Sequence, residues 1–300
     1  MKGLLQRLKE GEVLLGDGAM GTMLIERGLE SGHCPERINL DNPGMLEEIA
    51  GLYIDAGADI VQTNTFGASA LKLADYGLDD RTEQINKAAV EAAKKAAGRA
   101  AGRVYVSGSC GPCAKMLEPY GDAGAEEVQA SFERQMSALV HAGVDMICIE
   151  TMMDIQEAAI AVKTARSISR EITVAATMTF ELTRHGFVTI MGTGIEEAAE
   201  GLIDAGADII GSNCGNGIQN MIKIAAGFRE ITGMPLLIQS NAGLPELNNG
   251  ALVYAETPGF MAGKSRMLMD LGVNIIGGCC GTNPEHIKEL RKTLDAYMRS

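Results

Sequence analysis

One short phrase recurs four times along this chain, and it constrains the fold more than any other feature. The copies are "AGADIVQTNT" from Ala56, "AGVDMICIET" from Ala142, "AGADIIGSNC" from Ala205 and "LGVNIIGGCC" from Leu271. In each copy a helical pattern ends, a Gly stands where a left-handed C-cap is needed, an Asp or Asn begins the turn, and a β-branched apolar run follows. Each copy therefore predicts a helix followed by a strand.

Four further apolar runs predict strands of the same kind. They are "VLLGDG" from Val13, "VYVSGS" from Val104, "TVAATMTF" from Thr173 and "PLLIQSNAG" from Pro235. These runs are almost continuously apolar, as parallel strands covered on both faces are, and amphipathic helical segments such as "RTEQINKAAVEAAKKAAG" separate them. About eight strand-helix units in one chain predict a (β/α)8 TIM barrel that spans residues 1–300 as a single α/β domain.

The alternative fold is a doubly wound open sheet. Such a sheet usually has fewer strands and places one Gly-rich phosphate loop after the first strand. The segment "GDGAMGTM" is Gly-rich but matches neither the dinucleotide spacing nor the P-loop spacing. The barrel is therefore favoured, and the segment "NAGLPELNNGALVYAETPG" from Asn241 predicts a long loop after the seventh strand.

The composition excludes several classes of partner and location. A net charge of -13 and the absence of Trp argue against nucleic acid, because phosphates would be repelled and bases would find little aromatic surface. No apolar stretch is long enough to span a membrane. The N-terminal segment is too charged, and its apolar stretch too short, for a signal peptide. We expect a soluble, cytoplasmic protein with no membrane partner.

Reactive side chains collect at the ends of the predicted strands, where a barrel of this kind builds its active site. The residues at these ends are Asp17, Asn64, Thr65, Glu150, Cys214, Asn241, Cys279 and Cys280. A polar residue at such a position also serves as a helix N-cap, so each one has a structural alternative. Taken together, they predict a site at one mouth of the barrel.

The tandem pair Cys279 and Cys280 carries the most specific signal. Cys214 ends the sixth predicted strand, which only one strand separates from the eighth, so the three thiols can meet. Three thiolates suit Zn²⁺, which prefers four tetrahedral ligands, and an open fourth position is typical of a catalytic site. The neighbouring glycines 277, 278 and 281 would let both adjacent sulfurs face one metal ion. A strained vicinal disulfide is the weaker explanation.

The other four cysteines favour a structural interpretation. Seven cysteines, an odd number, in a chain without a secretion signal argue against a disulfide framework. A lone Cys is most often a small buried hydrophobe, and we assign Cys34, Cys110, Cys113 and Cys148 to that class. Cys110 and Cys113 also form a C-x-x-C, for which a redox pair or a metal clip is the alternative.

A three-thiolate zinc with an open position binds an external thiol and holds it as a thiolate at neutral pH. Asp17 and Glu150 are acceptors for an ammonium group on that thiol. Backbone N–H groups of "GDGAMG", with Gly18 among them, can bind a carboxylate. The expected substrate is therefore an amino acid that carries a thiol.

Five motifs together resemble a known family: "LLGDGAMGTML", "VQTNTFGA", "IETMMDI", "SNCG" and "GGCCGTNPEHI". They resemble the zinc-dependent homocysteine S-methyltransferases, and among these the homocysteine-binding domain of cobalamin-dependent methionine synthase most closely. The resemblance covers nearly the whole chain from about Val13. It implies a (β/α)8 barrel, Zn²⁺ on Cys214, Cys279 and Cys280, and L-homocysteine held by Asp17 and Glu150. The implied reaction is attack of the homocysteine sulfur on a methyl group, giving methionine.

The resemblance implies methylcobalamin, or another methylcorrinoid, as the methyl source. Because the chain stops at Ser300, we expect this donor on a separate corrinoid protein. S-methylmethionine or betaine as donor, another thiol as acceptor, and a non-catalytic zinc-binding barrel remain alternatives. Asn241 in "SNAG" is expected to supply an oxygen to zinc or to order the pocket, with a turn residue as the alternative. We expect a monomer or a weak dimer, since the C-terminal arm of the betaine enzymes is absent.

Overall fold

Helices and strands alternate along the chain, as the repeated phrase predicts. The computed structural model describes residues 3–30, 32–248 and 251–299. Its strands are β1 Leu14–Leu15, β2 Ile60–Gln62, β3 Tyr105–Cys110, β4 Met146–Met152, β5 Thr173–Met178, β6 Glu181–Thr183, β7 Gly186–Val188, β8 Ile209–Asn213, β9 Leu236–Ser240, β10 Pro245–Asn248, β11 Ala251–Tyr254 and β12 Ile275–Gly278. Its α-helices are α1 Leu4–Lys9, α2 Met20–Glu26, α3 Ile38–Asp41, α4 Pro43–Asp55, α5 Ala70–Ala74, α6 Thr82–Ala97, α7 Ala125–Ala142, α8 Ile155–Ile168, α9 Ile195–Ala205, α10 Ile218–Ile231, α11 Pro258–Asp270 and α12 Pro284–Tyr297.

Eight of the strands form one parallel sheet that closes on itself. Their order is β1-β12-β9-β8-β5-β4-β3-β2. The two end strands are joined by a parallel bridge between Gly16 and Ile60, and the Asp59 N–H donates to the Leu15 carbonyl at 2.7 Å. All eight predicted strands are present, and the predicted (β/α)8 barrel is confirmed.

The longer helices cover the outside of this barrel, as α6 illustrates. In α6 the apolar face buries Ile85, Ala89 and Ala93, while Lys87 and Glu91 between them are exposed. This spacing is the amphipathic pattern that the sequence predicts for the segment. Among the described residues, no helix combines the length and the apolar character needed to cross a membrane.

The N-terminal end of the barrel is sealed by apolar packing. The side chains that seal it lie in one cluster with Leu4 and Leu8 of α1, namely Leu14, Ile60, Tyr105, Met146, Cys148, Ala175, Ile209, Leu237 and Ile275. Residues two or four positions further along each strand face the same interior. The polar strand-end residues therefore gather at the opposite, C-terminal mouth.

The glycines of the repeated phrase have the backbone conformation that the sequence predicts. Gly57, Gly143, Gly206 and Gly272 have φ angles of +105°, +88°, +102° and +72°. In this left-handed region a Cβ atom would be strained, so Gly is strongly favoured there. The four turns that lead from a helix into the next strand are thus fixed by sequence.

The acidic or amide residue of each phrase has a role that the pattern did not indicate. Each one accepts a hydrogen bond from a backbone N–H of the adjacent strand. The four pairs are Asp59 with Leu15 at 2.9 Å, Asp145 with Val106 at 2.8 Å, Asp208 with Val174 at 2.9 Å and Asn274 with Leu236 at 3.1 Å. These side chains join neighbouring strands at the N-terminal end of the barrel, the end that serves stability rather than catalysis.

Replacing Asp208 with alanine is expected to lower the free energy of unfolding by about 1–3 kcal/mol. The variant leaves the Val174 N–H without its acceptor and also removes the ion pair between Asp208 and Arg166. Urea unfolding measures the loss. Asp204→Ala is the control, because Asp204 is exposed on the same helix-to-strand segment. Equal unfolding free energies for the two variants would contradict this role.

One sequence prediction about the mouth is wrong. The segment after β9, expected to be a long loop, contains a hairpin in which Pro245 of β10 pairs antiparallel with Tyr254 of β11. Residues 249 and 250, between the strands, lie outside the described residues. The dipeptide Asn-Gly is a hairpin-turn signal, and here it is followed by the β-forming run "LVY". A second hairpin, β6 with β7, follows β5.

Candidate functional site

The three predicted metal ligands meet at the C-terminal mouth. Cys214 follows β8, and Cys279 and Cys280 follow β12, with β9 between these strands. The Sγ atoms of Cys214 and Cys280 are 3.7 Å apart, and all three sulfurs lie within 4.8 Å of one another. Sulfurs at about 2.3 Å from one tetrahedral zinc ion would be about 3.8 Å apart. The arrangement therefore fits a single zinc ion.

A strained backbone aims the first of these sulfurs. Cys214 has a φ of +60°, which for a non-glycine residue costs on the order of 1–2 kcal/mol. Strand pairing holds it there, because the Cys214 N–H donates to the Gln239 carbonyl at 3.1 Å. On the other side of β9, the Cys279 N–H donates to the Ser240 carbonyl at 2.8 Å. The two ligand segments are thus fixed to the same central strand.

The glycines around the tandem pair serve two purposes, and only one was predicted. Gly281 has a φ of +78°, so the expected tight turn is present there. Gly277 and Gly278 lie within β12 and do not have a positive φ. A Cβ atom at Gly278 would overlap Thr282, so this glycine is needed for close packing rather than for a turn.

The thiols influence one another strongly. Hydrogen bonds from Cys279 and Cys280, together with one from Asn241, lower the pKa of Cys214. The same hydrogen bonds to Cys214 raise the pKa of Cys279 and of Cys280. The protein alone therefore favours one thiolate in the cluster, and three thiolates together require a cation between them.

A cavity of about 410 Å³ opens directly onto the sulfurs. Its wall carries polar groups from several strands and from the start of α2. The residues that line it include Gly18, Ala19, Met20, Gly21, Thr22, Glu36, Gln62, Asn64, Phe66, Ser109, Glu150, Thr151, Cys214, Gln239, Cys279 and Cys280. This volume suits a small molecule rather than a macromolecule.

Glu150 is one of the two predicted acidic residues, and it lines this cavity. Three side chains donate to its carboxylate: Ser109 through Oγ, Gln62 through Nε2 at 3.2 Å and Asn213 through Nδ2 at 3.3 Å. Burial nevertheless raises the pKa of Glu150 to about 7. The carboxylate is fixed in orientation, and a cation in the cavity would stabilise its charged form.

Asp17, the second predicted acidic residue, is buried behind Gly18 at the junction of β1 and β2. Its Oδ2 accepts the Gln62 N–H at 2.7 Å, while its Oδ1 has no hydrogen-bond partner among the described residues. Burial raises the pKa of Asp17 to about 7. A buried acceptor without a partner needs a donor, which an ammonium group next to the cavity would provide.

Exchanging Asp17 for asparagine should change how stability depends on pH. The folded-state pKa of Asp17 is near 7, above its ordinary value of 3.8. Between these two pH values, Asp17 therefore holds a proton in the folded protein that it has lost in the unfolded chain. Stability conferred by neutral Asp17 is thus lost as pH rises toward 7. Relative to that of the wild type, the free energy of unfolding of metal-free Asp17→Asn should rise by on the order of 2–3 kcal/mol between pH 5 and pH 8.

Urea unfolding at the two pH values measures this difference. Asp204→Asn, at an exposed position, is the control and should follow the wild type at both pH values. Parallel pH dependence of Asp17→Asn and the wild type would show that Asp17 ionises at an ordinary pKa. The buried environment described above would then not govern its titration.

Asn241 lies directly after β9, beside the cluster. Its side chain hydrogen-bonds Cys214, and its Oδ1 is buried without a partner among the described residues. Its N–H donates to the Asn216 carbonyl at 2.9 Å. Asn241 thus lies beside Cys214, at the place where the sequence predicts an oxygen ligand or a residue that orders the pocket.

Several residues of the site were not selected from the sequence. Gln62, Ser109 and Asn213 contact Glu150, and each lies two or four positions after an interior-facing apolar residue of its own strand. That alternation was the signal available. By contrast, Thr65 supports the scaffold, because its hydroxyl donates to the Ser109 carbonyl at 2.7 Å. Asn64 lines the cavity, yet its amide donates to Asn39 at 2.8 Å.

The remaining cysteines are buried, as the sequence predicts. All seven cysteines are free thiols, and Cys34, Cys110, Cys113 and Cys148 are buried. Burial raises the pKa of Cys34 to about 11 and that of Cys113 to about 12. Such thiols are unreactive at neutral pH. Among the described residues, the only grouping of three metal-binding side chains is the one formed by Cys214, Cys279 and Cys280.

Comparison with solved structures supports the fold. The chain is similar to the homocysteine methyltransferase MmuM from Escherichia coli. The metallated form has a TM-score of 0.78 at 24% identity, covering 96% of this chain and 98% of that chain. The oxidized form has a TM-score of 0.80 at 24% identity, covering 97% and 99% of the two chains. At this identity the likeness shows a shared barrel fold.

Curated relatives are similar at the level of sequence. The methionine synthase of Mycobacterium leprae is 32% identical over 96% of this chain, and that of Mycobacterium tuberculosis is 33% identical over 96%. The chain spans about a quarter of the length of these relatives, 24% and 25%. The similarity therefore concerns one part of a longer protein.

A protein-family model gives the most direct assignment. The model described as homocysteine S-methyltransferase matches residues 14–294, almost the whole chain. This match agrees with the motifs around the three cysteines and with the two methionine synthases. The chain therefore belongs to the homocysteine S-methyltransferase family, a family of methyltransferase enzymes.

Proposed function

We propose that this chain catalyses the zinc-dependent transfer of a methyl group to the thiolate of L-homocysteine, giving methionine. The observation that carries the proposal is the position of three sulfurs, within 4.8 Å of one another, on the wall of a cavity that also holds the buried carboxyl of Glu150. Membership of the homocysteine S-methyltransferase family supports the class of acceptor.

Cys214, Cys279 and Cys280 would hold the zinc ion, with the Asn241 amide oxygen beside them. The spacing of the sulfurs fits such an ion, and their mutual effect on pKa calls for a cation. Zinc would supply the positive charge that lets a substrate thiol ionise at neutral pH. Asn213 approaches the Cys279 sulfur with its Nδ2 at 3.9 Å and stabilises negative charge there.

The chain's own residues would orient the substrate. Glu150 and Asp17 accept hydrogen bonds from the ammonium group, which lowers their raised pKa values toward the ordinary range. The start of α2 lines the same cavity, and the backbone N–H groups around Gly18 and Met20 bind the carboxylate. With the ammonium and carboxylate groups of the amino acid fixed, its sulfur is directed at the three cysteines.

The proposed methyl source is a methylcorrinoid on a separate protein. Support comes from the motifs that resemble cobalamin-dependent methionine synthase and from the two methionine synthase relatives. The cavity opens at the barrel mouth, where Phe66 is 44% exposed, so a donor can approach from outside. We further propose that residues 1–300 act as one homocysteine-binding domain in the cytoplasm, where seven thiols stay reduced.

A comparison of donors tests this proposal. Zinc-loaded protein and homocysteine are incubated with methylcobalamin, S-methylmethionine or betaine, and methionine is measured against incubations without protein. We expect protein-dependent methionine from methylcobalamin. Efficient turnover with S-methylmethionine alone would overturn the corrinoid donor while leaving the acceptor in place. Absence of methionine with all three would count against the transferase itself.

A further inference from the structure

Asn213, the last residue of β8, connects the two halves of the proposed site. It is fully buried and directly precedes Cys214. Its Nδ2 lies 3.3 Å from Glu150 Oε2, 3.9 Å from Cys279 Sγ and 2.7 Å from Thr151 Oγ1. One amide group therefore contacts both the carboxylate and a metal-ligand sulfur.

The orientation of this amide follows from its other contacts. Asn213 Oδ1 accepts the Thr151 N–H at 2.7 Å and the Thr177 hydroxyl at 2.7 Å. A backbone N–H can only donate, so the amide oxygen must face Thr151. The NH₂ group is therefore the donor, and its two hydrogens are shared among Thr151 Oγ1, Glu150 Oε2 and Cys279 Sγ. The donor at the carboxylate and the sulfur is thus determined by hydrogen bonding and does not depend on an arbitrary amide assignment.

Two strained residues lie on either side of this connection. Thr151, which follows Glu150, has a φ angle of +59°, and Cys214, which follows Asn213, has a φ angle of +60°. Asn213 accepts a hydrogen bond from the Thr151 N–H and directly precedes Cys214 in the chain. Strain of this kind persists only where surrounding contacts fix it, and it concentrates at functional sites. The contacts of Asn213 hold Glu150 and the sulfurs in one geometry.

We propose that Asn213 is a positioning residue that couples the Glu150 carboxylate to the Cys279 sulfur. It thereby sets the distance between the place where a thiol amino acid binds its ammonium group and the place where its sulfur binds. The inference rests on the proposed function. It extends that function by naming the residue that links the two ends of the substrate, although Asn213 does not itself line the cavity wall.

A double-mutant cycle on cobalt(II)-loaded protein tests this coupling. The thiolate-to-cobalt absorption band reports on the sulfurs, and its change on titration gives the dissociation constant for homocysteine. Glu150→Gln and Asn213→Leu should each weaken homocysteine binding by about 10–100-fold. The double variant should bind within about threefold of Glu150→Gln alone, because Asn213 acts through Glu150. Asn213→Leu, but not Glu150→Gln, should also shift the band before homocysteine is added.

Asn216→Leu is the matched control. Asn216 is buried on the same segment, but its amide donates to the Phe180 carbonyl at 2.6 Å and accepts from Asn220 at 2.9 Å. Its band position and homocysteine affinity should equal those of the wild type. If Asn213→Leu does not fold, Asn213→Thr takes its place, because a hydroxyl can still accept the Thr151 N–H but cannot reach Cys279.

The outcomes separate this inference from the proposed function. The coupling would be overturned if the wild type binds homocysteine but the effects of the two single changes multiply in the double variant. That result would leave the proposed function intact. An unshifted band in the Asn213 variant would also overturn it. A wild-type cobalt protein that does not respond to homocysteine would overturn the proposed function, and with it this inference.

Discussion

Replacing Cys280 with alanine is expected to leave a protein that retains no zinc after dialysis and forms no methionine. Cys280 provides one of three sulfurs that lie within 4.8 Å of one another, and its Sγ is 3.7 Å from that of Cys214. Removing one thiolate should weaken zinc binding by on the order of 10²–10³-fold, since the binding free energy of such sites is shared among few ligands. The metal-to-protein ratio measures the effect directly.

Cys110→Ala is the control for this change. Cys110 is a fully buried thiol at the end of β3, and it does not belong to the cluster of three sulfurs. This variant can lose stability through the small cavity it creates, but it should keep the zinc content of the wild type. Unchanged zinc content in Cys280→Ala would refute the assignment of the ligand.

Glu150→Gln should raise the homocysteine concentration needed for half-maximal rate by about 10–100-fold while zinc stays bound. A carboxylate that accepts a hydrogen bond from an ammonium group contributes about 1.5–3 kcal/mol, and the amide loses the charge that makes this bond strong. The shape of the side chain is kept, so the hydrogen bond with Ser109 can persist. Steady-state kinetics together with zinc analysis separate substrate binding from metal binding.

Glu157→Gln is the matched control for Glu150→Gln. Glu157 is also a buried glutamate whose pKa is raised by burial, but it accepts the Cys113 N–H at 2.7 Å at the start of α8. Its replacement should leave the homocysteine requirement unchanged. If Glu150→Gln behaves like Glu157→Gln, Glu150 does not bind the ammonium group.

The barrel and the meeting of the three cysteines could be predicted because each depends on local sequence. A Gly that takes a positive φ, followed by a continuous apolar run, marks the same turn at Gly57 and at Gly206. Parallel strands then bring their C-terminal ends to one mouth. Cys214 and the tandem pair follow from that topology, since one strand separates β8 from β12.

The remaining features depend on register and tilt, which the chain does not reveal locally. The Asp208 carboxylate reaches the Val174 N–H only because β5 and β8 are neighbours in a fixed register. Asn213 contacts Glu150 past the intervening strand β5, at a sequence separation of 63 residues. The hairpin of β10 and β11 differs from these features, because the sequence carries a local hairpin signal, Asn-Gly before the β-forming run "LVY".

The zinc dependence of methionine formation tests the proposed function directly. Homocysteine and methylcobalamin are supplied to protein that is zinc-loaded, stripped with a chelator, or stripped and then reloaded. We predict methionine from the loaded and the reloaded protein, and none above background from the stripped protein. Equal rates for stripped and loaded protein would contradict zinc-dependent transfer, because the three cysteines would then hold no metal that the reaction needs.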